Sequence, residues 1–353
     1  MASRKYLASM DRKDFLSGLL PLAVGLPAIA SGLAAGRPLR TDDPLSVQIP
    51  PYLKQGDTIG ICCGSGHIDS KEIQPSLQVI EGWGFKTRFG QTIGKQDGMF
   101  GGTDAERAQD IQDMMDNPNI KAILFARGGY GMVRIIDKLD FTGLVSSPKW
   151  LIGFSDVTVI LSHVHTRCHI ATLHSKMCNS FPDDFAKAEP VIQDCILSIR
   201  KGLMGELMTY TAESSPVNRN GIAEGLLIGG NLRTLENLSG TVSDISTEGK
   251  ILFIEDVEEY YYNLDRMLWN FRRTGKLDKL KGLVVGGFVR MMDDEKEPFG
   301  KTHYDIISSH VQGYDYPVCF DFPVGHQKNN YALRCGVKHR LSVTEKGATL
   351  TSL

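Results

Sequence analysis

The sequence predicts a two-domain α/β fold built on a parallel sheet, and three observations carry that prediction. From about residue 56 onward, short apolar runs alternate with runs of helical periodicity. Several apolar runs lack polar alternation, as in IKAILFA (120–126), a pattern that marks a strand covered on both faces. Turn residues gather where the pattern changes, most densely in SFPDD and AESSPVNRNG between 179 and 222, where periodicity fades.

Taken in order, DTIGICC (57–63) reads as a strand and SKEIQPSLQVIEGWG (70–84) as a helix, with Pro75 tolerated in its first turn. FKTRF (85–89) is a short strand. TDAERAQDIQDMMDN (103–117) is a helix opened by a capping box, Thr103 with Glu106 three residues on. IKAILFA is a strand, MVRIIDKL (132–139) a helix, KWLIGF (149–154) a strand and VTVILSHVHTRC (157–168) a helix. A first domain therefore runs over 56–180, a linker region with one helix (189–203) over 181–222, and a smaller α/β domain over 223–353. The second domain offers strands at 223–229, 249–256, 281–289 and 317–322, helices near 231–239, 261–274 and 302–312, and a closing hairpin (340–353) turning at Lys346-Gly347.

Composition excludes several functions. The chain has 353 residues, 42% of them apolar and 23% charged, with a net charge of −2, so nothing electrostatic favours nucleic acid or an anionic membrane surface. Seven cysteines without CxxC spacing rule out a complete disulfide framework and give no zinc-ribbon signal. His165 and His169 form an i,i+4 pair, but no glutamate base stands between them as in a metalloprotease helix, so no metal or cofactor is expected. At the N-terminus, Arg12-Lys13 precede an uncharged stretch (15–36) broken by Pro21 and Pro27, with Ala28-Ile29-Ala30 in the small-x-small form of a cleavage site. A signal peptide over 1–30, a lead-in over 31–55 and an exported, periplasmic protein with no stable membrane partner are the expectation.

Polar residues at strand exits locate the candidate chemistry, because open parallel sheets bind ligands there. In GFSDVT (153–158) Ser155 sits where a strand turns into a helix, a position that presents its hydroxyl outward beside an unpaired helix amide. A helix-capping role for Ser155 or Asp156 fits the same stretch. In ARGGYGMVR (126–134) consecutive glycines suit either a tight turn or a backbone amide donor to an oxyanion. Glu255-Asp256 leave a strand in ILFIEDVEEYYYNLDR (251–266), and His326 follows a glycine in PVGHQKNN (323–330). A serine needs a base, and the base needs a carboxylate to hold its tautomer. Ser155, His326 and Glu255 could supply nucleophile, base and orienter.

RGGYG (127–131), GFSD (153–156), GLLIGGNLRTL (225–235), LFIEDVEEYYYNLDR (252–266) and PVGHQKNN together resemble the LD-carboxypeptidase family of serine peptidases, in the family's order and spacing. That family includes murein tetrapeptide carboxypeptidases and microcin C self-immunity peptidases. The resemblance implies a Ser155–His326–Glu255 triad between the two domains. It also implies an oxyanion hole from the backbone amides of Gly129 and Asp156, and hydrolysis of the bond before a terminal D-alanine in peptidoglycan tetrapeptides. The implied partner is thus a small peptide substrate, with a homodimer left open. A microcin-immunity type of amidase, or a muropeptide-binding protein without catalysis, is the alternative. One departure stands out: relatives often carry a His-Gly-Pro-like turn where this chain has His174-Ser175-Lys176, which bears on specificity.

Overall fold

The computed structural model describes residues 46–353; the stretch read as a leader (1–30) and residues 31–45 of the lead-in lie outside them. Its strands are β1 (Thr58–Cys62), β2 (Lys86–Phe89), β3 (Ile120–Phe125), β4 (Trp150–Gly153), β5 (Thr172–His174), β6 (Thr209–Ala212), β7 (Gly221–Asn231), β8 (Ile251–Val257), β9 (Gly282–Val289), β10 (Val318–Cys319), β11 (Leu333–Cys335), β12 (Lys338–Thr344) and β13 (Gly347–Ser352). Its helices are α1 (Gln74–Gly82), α2 (Asp104–Asp116), α3 (Thr142–Ser146), α4 (Thr158–His163), α5 (Pro190–Met204), α6 (Leu232–Asn237), α7 (Tyr261–Arg273) and α8 (His303–Val311).

One sheet runs β11-β5-β4-β3-β1-β2 and is parallel apart from β11. Its strands alternate between two cores. Ile59, Ile61, Leu124, Trp150 and Ile152 pack with α1 and α5, while Ile123, Phe125 and Leu151 pack with α2 and α4. Burial on both faces is why these strands show no polar alternation, and each buried Leu or Ile contributes roughly 1.5–3 kcal/mol. The other sheet runs β10-β9-β8-β7-β12-β13-β6, with β7 to β10 parallel and the β7-β12-β13-β6 pairs antiparallel. α6, α7 and α8 cover one face of it; Phe253, Val284, Leu333 and Leu341 join a core on the other.

Most predicted elements are present, and the differences have local causes. The capping box at Thr103 and Glu106 forms as read. MVRIIDKL is not an α-helix but two single 3₁₀ turns, 132–134 and 136–138. Eight residues barely sustain a helical nucleus, and Ile135, with φ −121°, interrupts this one. The helix read over 157–168 is α-helical only to His163, then widens into a π turn that His169 ends in a left-handed conformation. The final hairpin turns at Glu345-Lys346, one residue earlier than read, because Thr344 pairs with Gly347. β5 and β11 are too short to leave a periodic signature. β11 comes from the C-terminal stretch yet completes the first sheet, and β6, from the stretch read as linker, closes the second. The sheet boundary therefore does not follow a single cut along the chain. Among the described residues no helix is long and apolar enough to cross a membrane.

Candidate active site

Three strand exits of the first sheet are laced together. The β1 exit loop donates through Ser65, whose Oγ lies 2.5 Å from Asp156 Oδ2. The same carboxylate oxygen accepts from the Met132 amide at 2.8 Å, which fastens the end of the glycine-rich loop after β3. Gly66 N donates to Gly128 O at 2.9 Å, closing the lacing from the other direction. Asp156 thus does not cap its own helix, as the sequence reading allowed: it makes no capping hydrogen bond and instead ties the turn after β4 to two neighbours. Burial raises its pKa against these donors.

Ser155 occupies that turn with φ +62°, left-handed backbone that costs a non-glycine residue about 1–2 kcal/mol. The chain reverses sharply there, turning the hydroxyl out of the sheet. Glycine at 128 makes room, since a Cβ there would stand 3.1 Å from Ser155 Cβ. With Gly128 O engaged by Gly66, the planar peptide directs the Gly129 amide the opposite way, and that amide has no hydrogen-bond partner among the described residues. Asp156 N, in the first turn of the following helical segment, belongs to the set of amides a helix start leaves unpaired.

The second sheet delivers an acid and an imidazole. β8 is covered on both faces, so the consecutive carboxylates Glu255 and Asp256 near its exit are both buried; its pairing with β9 shifts register between Ile254 and Asp256. Asp256 accepts from Asn231 Nδ2, Arg233 N and Val257 N, while burial, followed by the neighbouring Glu255 charge, pushes its pKa up to about 7. Glu255 Oε2 accepts from His326 Nδ1 at 2.6 Å and from His326 N at 3.2 Å. His326 Nε2 then lies 3.0 Å from Ser155 Oγ. Gly325 permits this approach with φ +101°, in a space where a Cβ would meet Glu255 Cβ at 2.5 Å. Burial opposes charge on His326, but the Glu255 carboxylate outweighs it and the imidazole pKa is raised. The arrangement is a continuous carboxylate–imidazole–hydroxyl chain, able to move a proton from the hydroxyl to the imidazole.

The structure thus joins Ser155 and Glu255 through opposite ring nitrogens of His326, with Gly129 and Asp156 beside the serine. Ser65 and Asn231 have no role assigned from the sequence, and His174 stands there only as part of a departure bearing on specificity. His174 is buried near Glu255, and both its ring nitrogens, like Glu255 Oε1, lack a hydrogen-bond partner. The Gly64-Ser65-Gly66 strand exit reads as a stretch that could border the site, though with no role for Ser65 itself. Its distance of 91 residues from Asp156 hid the bond. His165 is also buried, and among the described residues no three His, Cys, Asp or Glu side chains converge as a metal site.

Two recesses flank the chain. One of about 410 Å³ is lined by Gly129, Tyr130, Ser155, Asn231, Arg233 and Asp256. The other, about 330 Å³, is lined by Phe154, Lys176, Arg290, Gly325, His326 and Gln327.

Fold and site together define an α/β protein with a Ser–His–Glu hydrogen-bond chain carried by two sheets. Residues 59–175 match the LD-carboxypeptidase N-terminal domain and residues 224–341 the LD-carboxypeptidase C-terminal domain. A probable murein peptide carboxypeptidase of Bacillus subtilis (strain 168) is 30% identical over 308 residues, 85% of this chain and 93% of that protein. The murein tetrapeptide carboxypeptidase of Pseudomonas aeruginosa is 28% identical over 280 residues, covering 78% of this chain and 89% of its own. This chain belongs to the LD-carboxypeptidase family. The crystal structure of muramoyltetrapeptide carboxypeptidase from Oxalobacter formigenes superposes with a TM-score of 0.74 at 26% identity, over 84% of this chain and 98% of that one. Microcin C7 self-immunity protein MccF, in complex with aspartyl sulfamoyl adenosine, shares the fold with a TM-score of 0.76 at 24% identity, over 87% of this chain and 99% of its own.

Proposed function

We propose that this protein is a serine carboxypeptidase that hydrolyses the amide bond between an L-centred diamino acid and the terminal D-alanine of peptidoglycan tetrapeptides. The observation that carries the reading is His326 bridging Glu255 at 2.6 Å and Ser155 at 3.0 Å. Neutral His326 takes the Ser155 proton on Nε2 while Oγ attacks the carbonyl carbon. The carbonyl π pair moves onto oxygen, and the amides of Gly129 and Asp156 stabilise that oxyanion, each donor contributing about 3–4 kcal/mol in comparable sites. Collapse of the tetrahedral adduct breaks the C–N bond as imidazolium His326 protonates the leaving nitrogen, and D-alanine departs. Water, deprotonated by His326, then attacks the acyl ester, and the proton returns to Ser155 Oγ. Glu255 stays ionised throughout and holds Nδ1–H. Names of relatives in the same family support the substrate class. An exported location, read from residues 1–30, accords with a cell-wall substrate.

Release of D-alanine from a murein tetrapeptide by the intact protein, beside Ser155→Ala, tests the reading. Release by the first alone supports it. Equal release by both removes Ser155 from the chemistry, and turnover of an aminoacyl sulfamoyl nucleoside in place of the tetrapeptide moves the assignment to an immunity-type amidase.

A further inference from the structure

The recess beside His326 has an unusual charge. Lys176 is half-buried there, and among the described residues its ammonium has neither an ion pair nor a hydrogen bond. An unpaired cation held in a recess is costly unless an anion joins it. Arg290 lines the same recess, and its Glu258 partner at 3.0 Å is an exposed surface pair of the kind worth little. No carboxylate lines this recess. The recess beside Ser155 is lined by acids instead, Asp156, Asp256 and Glu259, and its one cation, Arg233, lies 3.8 Å from Glu259.

Acyl-transfer chemistry decides which recess receives which half of a peptide. The oxyanion donors lie on the Ser155 side, so the acyl half occupies that recess. His326 must protonate the departing nitrogen, so the leaving residue occupies the recess that His326 lines. A residue leaving from a C-terminus carries a free carboxylate, whereas a diamino acid in the acyl half carries an amine. The charges of the two recesses divide in the same way.

We infer that the recess of Phe154, Lys176, Arg290, Gly325, His326 and Gln327 is the subsite for the leaving D-amino acid, and that Lys176, assisted by Arg290, binds its terminal carboxylate. The inference rests on the proposed peptidase reading and names the element that makes the enzyme act at chain ends. Burial lowers the Lys176 pKa, which leaves an ammonium with weak solvation and a strong demand for an anion. Lys176 stands two residues beyond β5, in the LHSKM stretch (173–177).

Binding separates the subsite from the chemistry. In the Ser155→Ala protein, calorimetry compares a murein tetrapeptide bearing a free C-terminal acid with the same peptide as a C-terminal carboxamide. The acid binds tighter by about 10- to 100-fold, the span of one charge-assisted hydrogen bond. Lys176→Met abolishes most of that preference while changing carboxamide affinity less than about twofold, and Lys176→Arg restores it. A folded Lys176→Met protein that keeps the preference, or that loses acid and carboxamide equally, overturns the inference, as does equal binding of the two peptides by the parent. Failure of the Ser155-containing protein to release D-alanine, with the preference intact in binding, refutes the peptidase reading and leaves the carboxylate subsite standing.

Discussion

Replacing Glu255 by glutamine keeps the volume of the side chain and removes its charge. Glu255 Oε2 accepts two hydrogen bonds from His326, at 2.6 Å from Nδ1 and 3.2 Å from the backbone amide. In Glu255→Gln, an amide NH₂ turned toward Nδ1 forces the tautomer with the proton on Nε2, which then faces Ser155 as a donor and cannot act as base. If the amide oxygen faces Nδ1 instead, the imidazolium loses its counter-charge. Loss of the carboxylate in a comparable triad lowers kcat about 10⁴-fold, or roughly 5 kcal/mol of barrier at 1.36 kcal/mol per decade. The pH profile supplies an independent sign. His326 must be neutral to act, and Glu255 raises its pKa, so the acid limb of kcat/KM in the native protein lies above the ordinary 6.5. Without Glu255 the main group raising the imidazole pKa is gone while burial still lowers it, so the limb moves down. D-Alanine release followed from about pH 5 to 9 measures both effects. A Glu255→Gln protein within tenfold of native kcat, or with an unmoved acid limb, would falsify the assigned role of Glu255.

Three further outcomes are expected. Gly325→Ala places a Cβ 2.5 Å from Glu255 Cβ at φ +101°, a strain of about 1–3 kcal/mol or more that displaces His326; kcat and the melting temperature fall together, and an unchanged kcat contradicts the packing described for residue 325. Asp156→Ala strands Ser65 Oγ and Met132 N, at about 1–3 kcal/mol for each buried group; urea midpoints of the Ala and Asn variants check this, and the reasoning is wrong if the two are equally stable. Burial holds His165, His174 and His339 at a pKa of about 4, against 6.5 when unfolded, so the unfolded chain binds more protons between those values. Stability is therefore lost as pH falls from 6.5 through 4, by a ceiling of roughly 3 kcal/mol per histidine, with Asp256, raised from 3.8 to about 7, opposing across the whole of that window. Urea unfolding at about pH 7, 5.5 and 4 reads the slope, and flat midpoints refute it.

The legible features were local ones. Thr103 and Glu106 stand three residues apart and form the capping box as read. Strands buried on both faces announced themselves by unbroken apolar runs. Glu255 at a strand exit and His326 after a loop glycine were visible as candidates, and motif resemblance joined them to Ser155 as a triad. What stayed hidden depends on residues far apart in the chain. Asp156 reads locally as a helix cap because the sequence cannot display Ser65 and Met132 as competing partners. β8 is buried on both faces, so its sequence carries no alternation that would tell which of Glu255 and Asp256 meets His326. Lys176 was visible only as a departure; its lack of a partner is a property of the folded recess.

β11 has a consequence for the order in which the chain can fold. It pairs antiparallel with β5, so the first sheet receives its edge strand from residues 333–335, close to the end of a 353-residue chain. A ribosome that has released only the first half leaves β5 with a bare row of backbone donors and acceptors, a template for wrong pairing. The segment bearing His326 runs between β10 in one sheet and β11 in the other. The imidazole reaches its place only when both sheets close, so a nascent or truncated chain is inert as a hydrolase until its last strands arrive.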